Sequence, residues 1–196
     1  MANIDRPNGF RPVGTLSSSS YNGQIRKFYT DTNCFLGDLM IQDAASVTGG
    51  SDGAYQGVTR ATSGTASLAI GVVVGWEVDP DNLGAVYHAG SSTRAVYLEV
   101  DPNTIYECQD NGAATLIAAA DVGLNYDIVV TAGDTGTGVS NMEVDSGTAG
   151  AVTAATPVKL IGIVDRPDNT IGEANAKLLV TLNTHTYNAD VGSLGV

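Results

Sequence analysis

The chain has 196 residues, room for one large β domain or two small ones; 24 are glycine and only 15% are charged. Lys, Glu and Leu are sparse, which argues against a helical protein and for short strands joined by tight turns. The formal net charge of −12 is uneven: residues 1–30 carry Arg6, Arg11, Arg26 and Lys27 against Asp5, net +3, and the remainder carries 5 basic and 20 acidic residues, net −15. An acidic body of that kind argues against nucleic acid, whose phosphates demand cations.

Met1 to Gly14 has no apolar core of the signal-peptide kind. The longest apolar run, Leu68–Trp76, is far too short to span a bilayer. A soluble, unsecreted protein with no membrane partner is therefore expected. Cys34 and Cys108 are too few for a disulfide framework. They could pair, but free buried thiols suit a protein made in the cytoplasm.

Residues 1–24 show no periodicity and contain Pro7, Pro12 and a run from Ser17 to Ser20. Proline lacks a donor and fixes φ, so this stretch reads as an extended N-terminal arm. Arg6, Phe10 and Arg11 are its expected anchors on a partner. Residues 25–196 then read as a β-rich body. Ile25–Tyr29 alternates, Leu39–Gln42 is short, and Tyr55–Arg60 alternates again. Leu68–Trp76 reads as a buried central strand, with Gly71 and Gly75 marking bulges or close backbone approach. Gly84–His88 and Arg94–Val100 flank a Gly-Ser-Ser turn. Thr104–Gln109 follows the turn signal Asp101-Pro102-Asn103. Asp127–Thr131, Asn141–Val144, Val158–Val164 and Lys177–Tyr187 complete eleven candidate strands. Ala113–Val122 is the sole candidate for a turn or two of helix. Spacing and content predict an all-β fold, a sandwich, jelly-roll or barrel-like body, with a conceivable subdivision near residues 100–110. The polar, Gly-rich stretches Ser46–Gly53, Thr62–Ala66 and Gly133–Gly138 read as outward or boundary loops.

Motifs for catalysis are weak. Gly49-Gly50-Ser51-Asp52-Gly53 matches a nucleophile elbow in letters, but Ala44–Thr48 before it is a weak strand at best and no helix follows. His88 and His185 have no metal-ligand spacing to the cysteines and read as satisfied or solvent-facing strand residues. Asp79-Pro80-Asp81-Asn82 and the group Asp165, Asp168, Asn169 could offer oxygens to Ca²⁺, yet such turns are common without metal. No phosphate-binding or dinucleotide fingerprint appears. The reading is of a protein without cofactor, metal or catalytic residues. Trp76 reads as core or boundary packing. Arg166, in Asp165-Arg166-Pro167-Asp168-Asn169, is either half of a surface ion pair or a fork-shaped donor aimed at a neighbour's carboxylate. Arg6, Phe10, Arg11, Arg26 and Arg166 are thus the candidate partner-interface residues.

Several segments carry a family likeness. Arg6-Pro7-Asn8-Gly9-Phe10-Arg11-Pro12-Val13, followed by Tyr21-Asn22-Gly23 and Arg26-Lys27-Phe28-Tyr29, resembles the opening of a family of tailed-bacteriophage virion proteins. So do Gly71-Val72-Val73-Val74-Gly75, Ala95-Val96-Tyr97-Leu98, the run from Asp101 through Gln109, and Ala119 through Asn125. Leu160 through Asn169, and Asn175 through His185, complete a likeness that spans nearly the whole chain. It implies a virion structural component with no catalytic residues to carry over. Size, β content, acidic body and N-terminal arm further suggest a capsid decoration, or cement, protein on the outside of the head, made in the host bacterial cytoplasm. Its expected partners are the major capsid protein and neighbouring copies of itself, with a homotrimer the leading arrangement. Residues 1–24 would lie along the shell as a strap. The alternatives are a tail or head–tail junction subunit, or a host-attachment or glycan-binding module.

Overall fold

A computed structural model describes residues 3–17, 20–43, 53–64, 68–113, 115–148 and 156–188. The fold is all-β. Its strands are β1 (Arg11–Thr15), β2 (Ile25–Thr30), β3 (Leu39–Gln42), β4 (Val58–Arg60), β5 (Ala69–Trp76), β6 (Arg94–Glu99), β7 (Thr104–Gln109), β8 (Asn125–Val129), β9 (Glu143–Asp145), β10 (Val158–Ile163) and β11 (Lys177–Leu182). They form a five-stranded sheet, β2-β6-β5-β3-β4, and a six-stranded sheet, β1-β7-β11-β10-β8-β9. The chain passes from the six-stranded to the five-stranded sheet between Thr15 and Ile25, and back between Glu99 and Thr104.

All pairings between named strands are antiparallel. Five strands joined by antiparallel steps leave the first and last pointing the same way, so closing the ring requires a parallel contact. The first sheet has one, the bridge between Tyr29 and Gly57 beside β2 and β4. In the second sheet the run from β7 to β9 is brought together by a parallel bridge between Asp110 and Val144, and Asn111 N donates to Val144 O at 3.0 Å. Each sheet therefore curls until its ends meet, and β1 is appended to the outer edge of β7.

Alternation then decides what each ring encloses. Phe28, Cys34, Met40, Val58, Ile70, Val73, Val96 and Leu98 form one core from the first sheet, with Trp76 packed at its boundary. Tyr106, Cys108, Tyr126, Ile128, Val144, Val158, Leu160, Leu178 and Val180 form the second. The second core continues onto Leu39, Ala69 and Val72, the opposite face of β3 and β5, which joins the two sheets in one packed body. Cys34 and Cys108 are buried, free and in different cores.

Gly71 is where β5 crosses the end of β6: a Cβ there would lie 2.1 Å from Glu99 O, so only glycine fits. The register of β5 on β6 shifts between Val73 and Gly75, a bulge of the expected kind.

Three expectations need correction. Residues 1–24 are not an arm free of the body over 3–17, because β1 pairs with β7 from Arg11↔Glu107 to Thr15↔Thr104. Pro12 is tolerated there since β1 is an edge strand, where a missing N–H faces away from the ladder. Gly84–His88 is not a strand; His88 alone bridges Cys34, and the rest is turn. Within Ala113–Val122 the helix is a single 3₁₀ turn, Ala119–Asp121.

A candidate docking surface

The N-terminal segment runs across the second sheet before entering β1. Asn3 clasps the loop after β10: its side chain donates to Thr170 O (3.0 Å) and Ala174 O (3.1 Å) and accepts from Thr170 N (2.7 Å). Asp5 Oδ1 accepts from Gln109 Nε2 at 3.0 Å, and Arg6 N donates to Gln109 Oε1 at 3.0 Å. Lys177 Nζ donates to Arg6 O at 2.8 Å. Gly9 then turns the chain inward with φ of 62°, so close to the body that a Cβ would lie 2.5 Å from Gly37 O. Phe10 follows into the core.

Phe10 is 0% exposed and meets Tyr106 edge-on, with ring centroids 6.4 Å apart. This corrects its reading as a partner anchor. Its ring is consumed by the protein's own core, and it fixes the segment to the body.

The flanking cations stay outside. Arg6 and Arg11 are exposed, and Arg11 stands opposite Glu107. Arg166 grips Glu107 with both fork nitrogens, Nη1 to Oε2 at 3.2 Å and Nη2 to Oε1 at 3.1 Å, while its Nε lies 3.5 Å from Asp168. Its carboxylate is therefore intramolecular, which corrects the reading of a fork aimed at a neighbour. Arg6, Arg11, Arg166 and Lys177, four of the chain's nine cations, line one groove of about 330 Å³ with Glu107 and Asp168. Asn8 and Arg11 also line a second, more apolar groove of about 400 Å³, walled by Pro12, Leu36, Val73, Val74 and Val139. A cationic trough and an apolar trough thus meet at Arg11. Arg26 is elsewhere: it lies on β2, exposed, its guanidinium 5.4 Å from the ring centre of Tyr187.

Behind the cationic groove lies a polar cluster. Gln109 is 1% exposed. Its Nε2 donates to Asp5 and, at 3.2 Å, to Glu143 Oε1, and its Oε1 meets Lys177 Nζ as well as Arg6 N. Burial, with Asp5 and Asp110 adding repulsion, pushes the Glu143 carboxyl up to about 7. Burial also lowers the pKa of Lys177 and raises that of Asp110. Gln109, Glu107, Glu143 and Lys177 went unnoticed in the sequence, because the strand registers that bring them together leave no local pattern.

The remaining candidates have structural employment. Asp79 is 2.7 Å from Arg94. Asn169 closes the turn after β10 through Val164 O and the backbone of Lys177. Among the described residues, no three or more His, Cys, Asp or Glu side chains converge as they would around a metal. His88 and His185 are buried, and burial lowers the pKa of both, His185 to about 4. Gly49 to Asp52 lie outside the described residues, so the elbow-like motif has no geometry to test. Among the described residues no helix is long and apolar enough to cross a membrane.

Comparison with protein-family models, with curated proteins and with solved structures finds no match to this chain.

Proposed function

We propose that this protein is a non-enzymatic structural subunit of a tailed-phage particle that decorates the capsid exterior and holds neighbouring capsomers together. The ordered set of segments resembling phage virion proteins supports the virion reading. The observation that carries the docking reading is the gathering of Arg6, Arg11, Arg166 and Lys177 around one groove of an otherwise acidic molecule.

A cationic trough joined to an apolar one fits an acidic segment with an apolar side chain, offered by the major capsid protein. A bridging subunit that prefers joined capsomers to parted ones stabilises the joined state by linkage. Copies arranged with the shell's symmetry, as homotrimers, multiply contacts that are individually weak. The acidic remainder faces solvent and discourages stray association. The N-terminal segment acts here by building the groove, not by reaching outward as a strap.

Particles lacking the protein are mixed with wild-type or Arg6→Glu/Arg11→Glu protein, and occupancy is measured. The double reversal lowers occupancy at least about tenfold, and rising salt weakens wild-type binding. Equal occupancy of both proteins sinks the groove reading. Wild-type copy number separates a decorated shell, on the order of hundreds, from a head–tail junction, about a dozen.

A further inference from the structure

Gln109 ends β7 and stands directly opposite Lys177, which begins β11. Side chains so paired leave the sheet on the same face, their Cβ atoms about 5 Å apart. The Gln109 amide is held on both sides by groups of one kind. Its oxygen faces only donors, Arg6 N–H and the Lys177 amine; its nitrogen faces only carboxyl oxygens, Asp5 and Glu143. That division fixes which end of the amide is which.

The same division arranges the parts of an acyl transfer. An N–H on the carbonyl oxygen stabilises negative charge developing there. The amine touches that oxygen, one bond from the carbon it would attack. A carboxyl lies beside the nitrogen that would depart. Partial burial favours the free-amine form of Lys177 and the protonated form of Glu143, the forms a nucleophile and a general acid require. The N-terminal segment from Asn3 to Arg6, pinned at Thr170, Ala174 and Gln109, covers the cluster.

We propose that Lys177 and Gln109 join in an intramolecular isopeptide bond between Nζ and Cδ, with Glu143 carrying the proton and ammonia leaving. The Lys177 ammonium first yields a proton to the Glu143 carboxylate. The freed lone pair attacks Cδ, and the carbonyl π pair moves onto Oε1, which Arg6 N–H holds. The tetrahedral carbon collapses, the Cδ–Nε2 bond breaks, and its electron pair leaves on Nε2. Nε2 takes the proton from Glu143, and the second proton shed by Nζ completes an ammonium ion. Lysine ammonium plus primary amide becomes secondary amide plus ammonium; nothing is oxidised or reduced and no co-reactant enters. This single event within one chain removes the Lys177 charge from the groove and leaves Arg6, Arg11 and Arg166 as its cations. It ties β7 to β11 across 68 residues of sequence, so pulling on the chain cannot unzip that pair.

The test is denaturing mass spectrometry of the full-length protein with peptide mapping. The wild type shows a deficit of about 17 Da, the mass of ammonia, mapped to one species joining the Gln109 and Lys177 peptides. Asn8-Gly9, Asn22-Gly23 and Asn111-Gly112 can also lose ammonia by closing succinimide rings, so only the joined species counts. Lys177→Arg keeps the charge and abolishes it. Glu143→Gln keeps the shape and lowers its yield at least about tenfold. Separate Gln109 and Lys177 peptides in aged wild-type protein overturn the proposal, and undiminished linkage in Glu143→Gln overturns the role given to that carboxyl.

Discussion

The two sheets close in the same way yet place their polar groups differently. Around the first, the buried acids are surrounded by donors. Asp38 has Arg60 Nε at 2.8 Å, Ser140 Oγ at 2.6 Å and Phe35 N at 2.9 Å. Glu99 accepts from Gln24 N at 2.9 Å, Asp101 N at 3.0 Å and the Tyr21 hydroxyl. In the second sheet Asp110 is likewise held by the N–H groups of Gly112, Asn175 and Ala176, but Asp5 and Glu143 share the one Gln109 amide nitrogen, with Lys177 as the cation among them. A buried polar cluster is stable only when its members are satisfied. The first sheet therefore reads as scaffold, and the second as the place where unbalanced charge is kept next to an open groove.

The sharpest break of that comparison is at Phe10, the residue that ties the cationic segment to the second core. Phe10→Ala empties a fully buried site and costs about 3–5 kcal/mol. Denaturant unfolding measures it. A loss below about 1 kcal/mol would mean the ring lies outside a packed core.

Next comes pH. Glu143 holds its proton up to about 7 in the fold, against 4.5 as its ordinary value. Between those values the folded state binds a proton that the unfolded state has released. Stability is thus greatest below pH 4.5 as far as this group is concerned, and its contribution falls as pH rises to about 7. Asp38 and Asp110 are shifted upward by burial as well, so Glu143 is isolated by difference: Glu143→Gln flattens the wild-type slope across that window. Parallel curves for the two proteins would show that the carboxyl titrates normally.

Much of this architecture was legible in the chain because alternation is local. Leu39–Gln42 and Thr104–Gln109 have the same limits in sequence pattern and structure, and Leu68–Trp76 differs from β5 by one residue. Pro12 and Gly14 hid β1, since they read as punctuation wherever a strand's edge position is unknown. Gly84–His88 alternates but has no neighbour to pair with beyond Cys34. Lys177–Tyr187 overran because β11 stops at Leu182, after which His185 turns to meet Ala69. Arg6, Arg11 and Arg166 were nameable as cations next to prolines, with Asp5 beside Arg6 and Asp165 and Asp168 beside Arg166. Their convergence was not, since it depends on Arg11 standing opposite Glu107 and on Arg166 reaching the same carboxylate, pairings that span 96 and 59 residues.

The smallest effect sharpens the contrast between two arginines. Arg26 is exposed on the first sheet against Tyr187, a cation–π contact worth about 0.5–1 kcal/mol at such a site. Arg166 is partly exposed too, and its pair with Glu107 contributes about 1 kcal/mol or less. Alanine at either position should therefore leave unfolding midpoints nearly equal. Occupancy on particles should separate them: Arg166→Ala removes a groove cation and frees Glu107 to repel an acidic ligand, whereas Arg26→Ala alters nothing the groove presents. Equal loss of occupancy from both would make docking a matter of total charge and not of this groove. Loss from Arg166→Ala alone ties recognition to the second sheet, where the fold has concentrated its unbalanced charge.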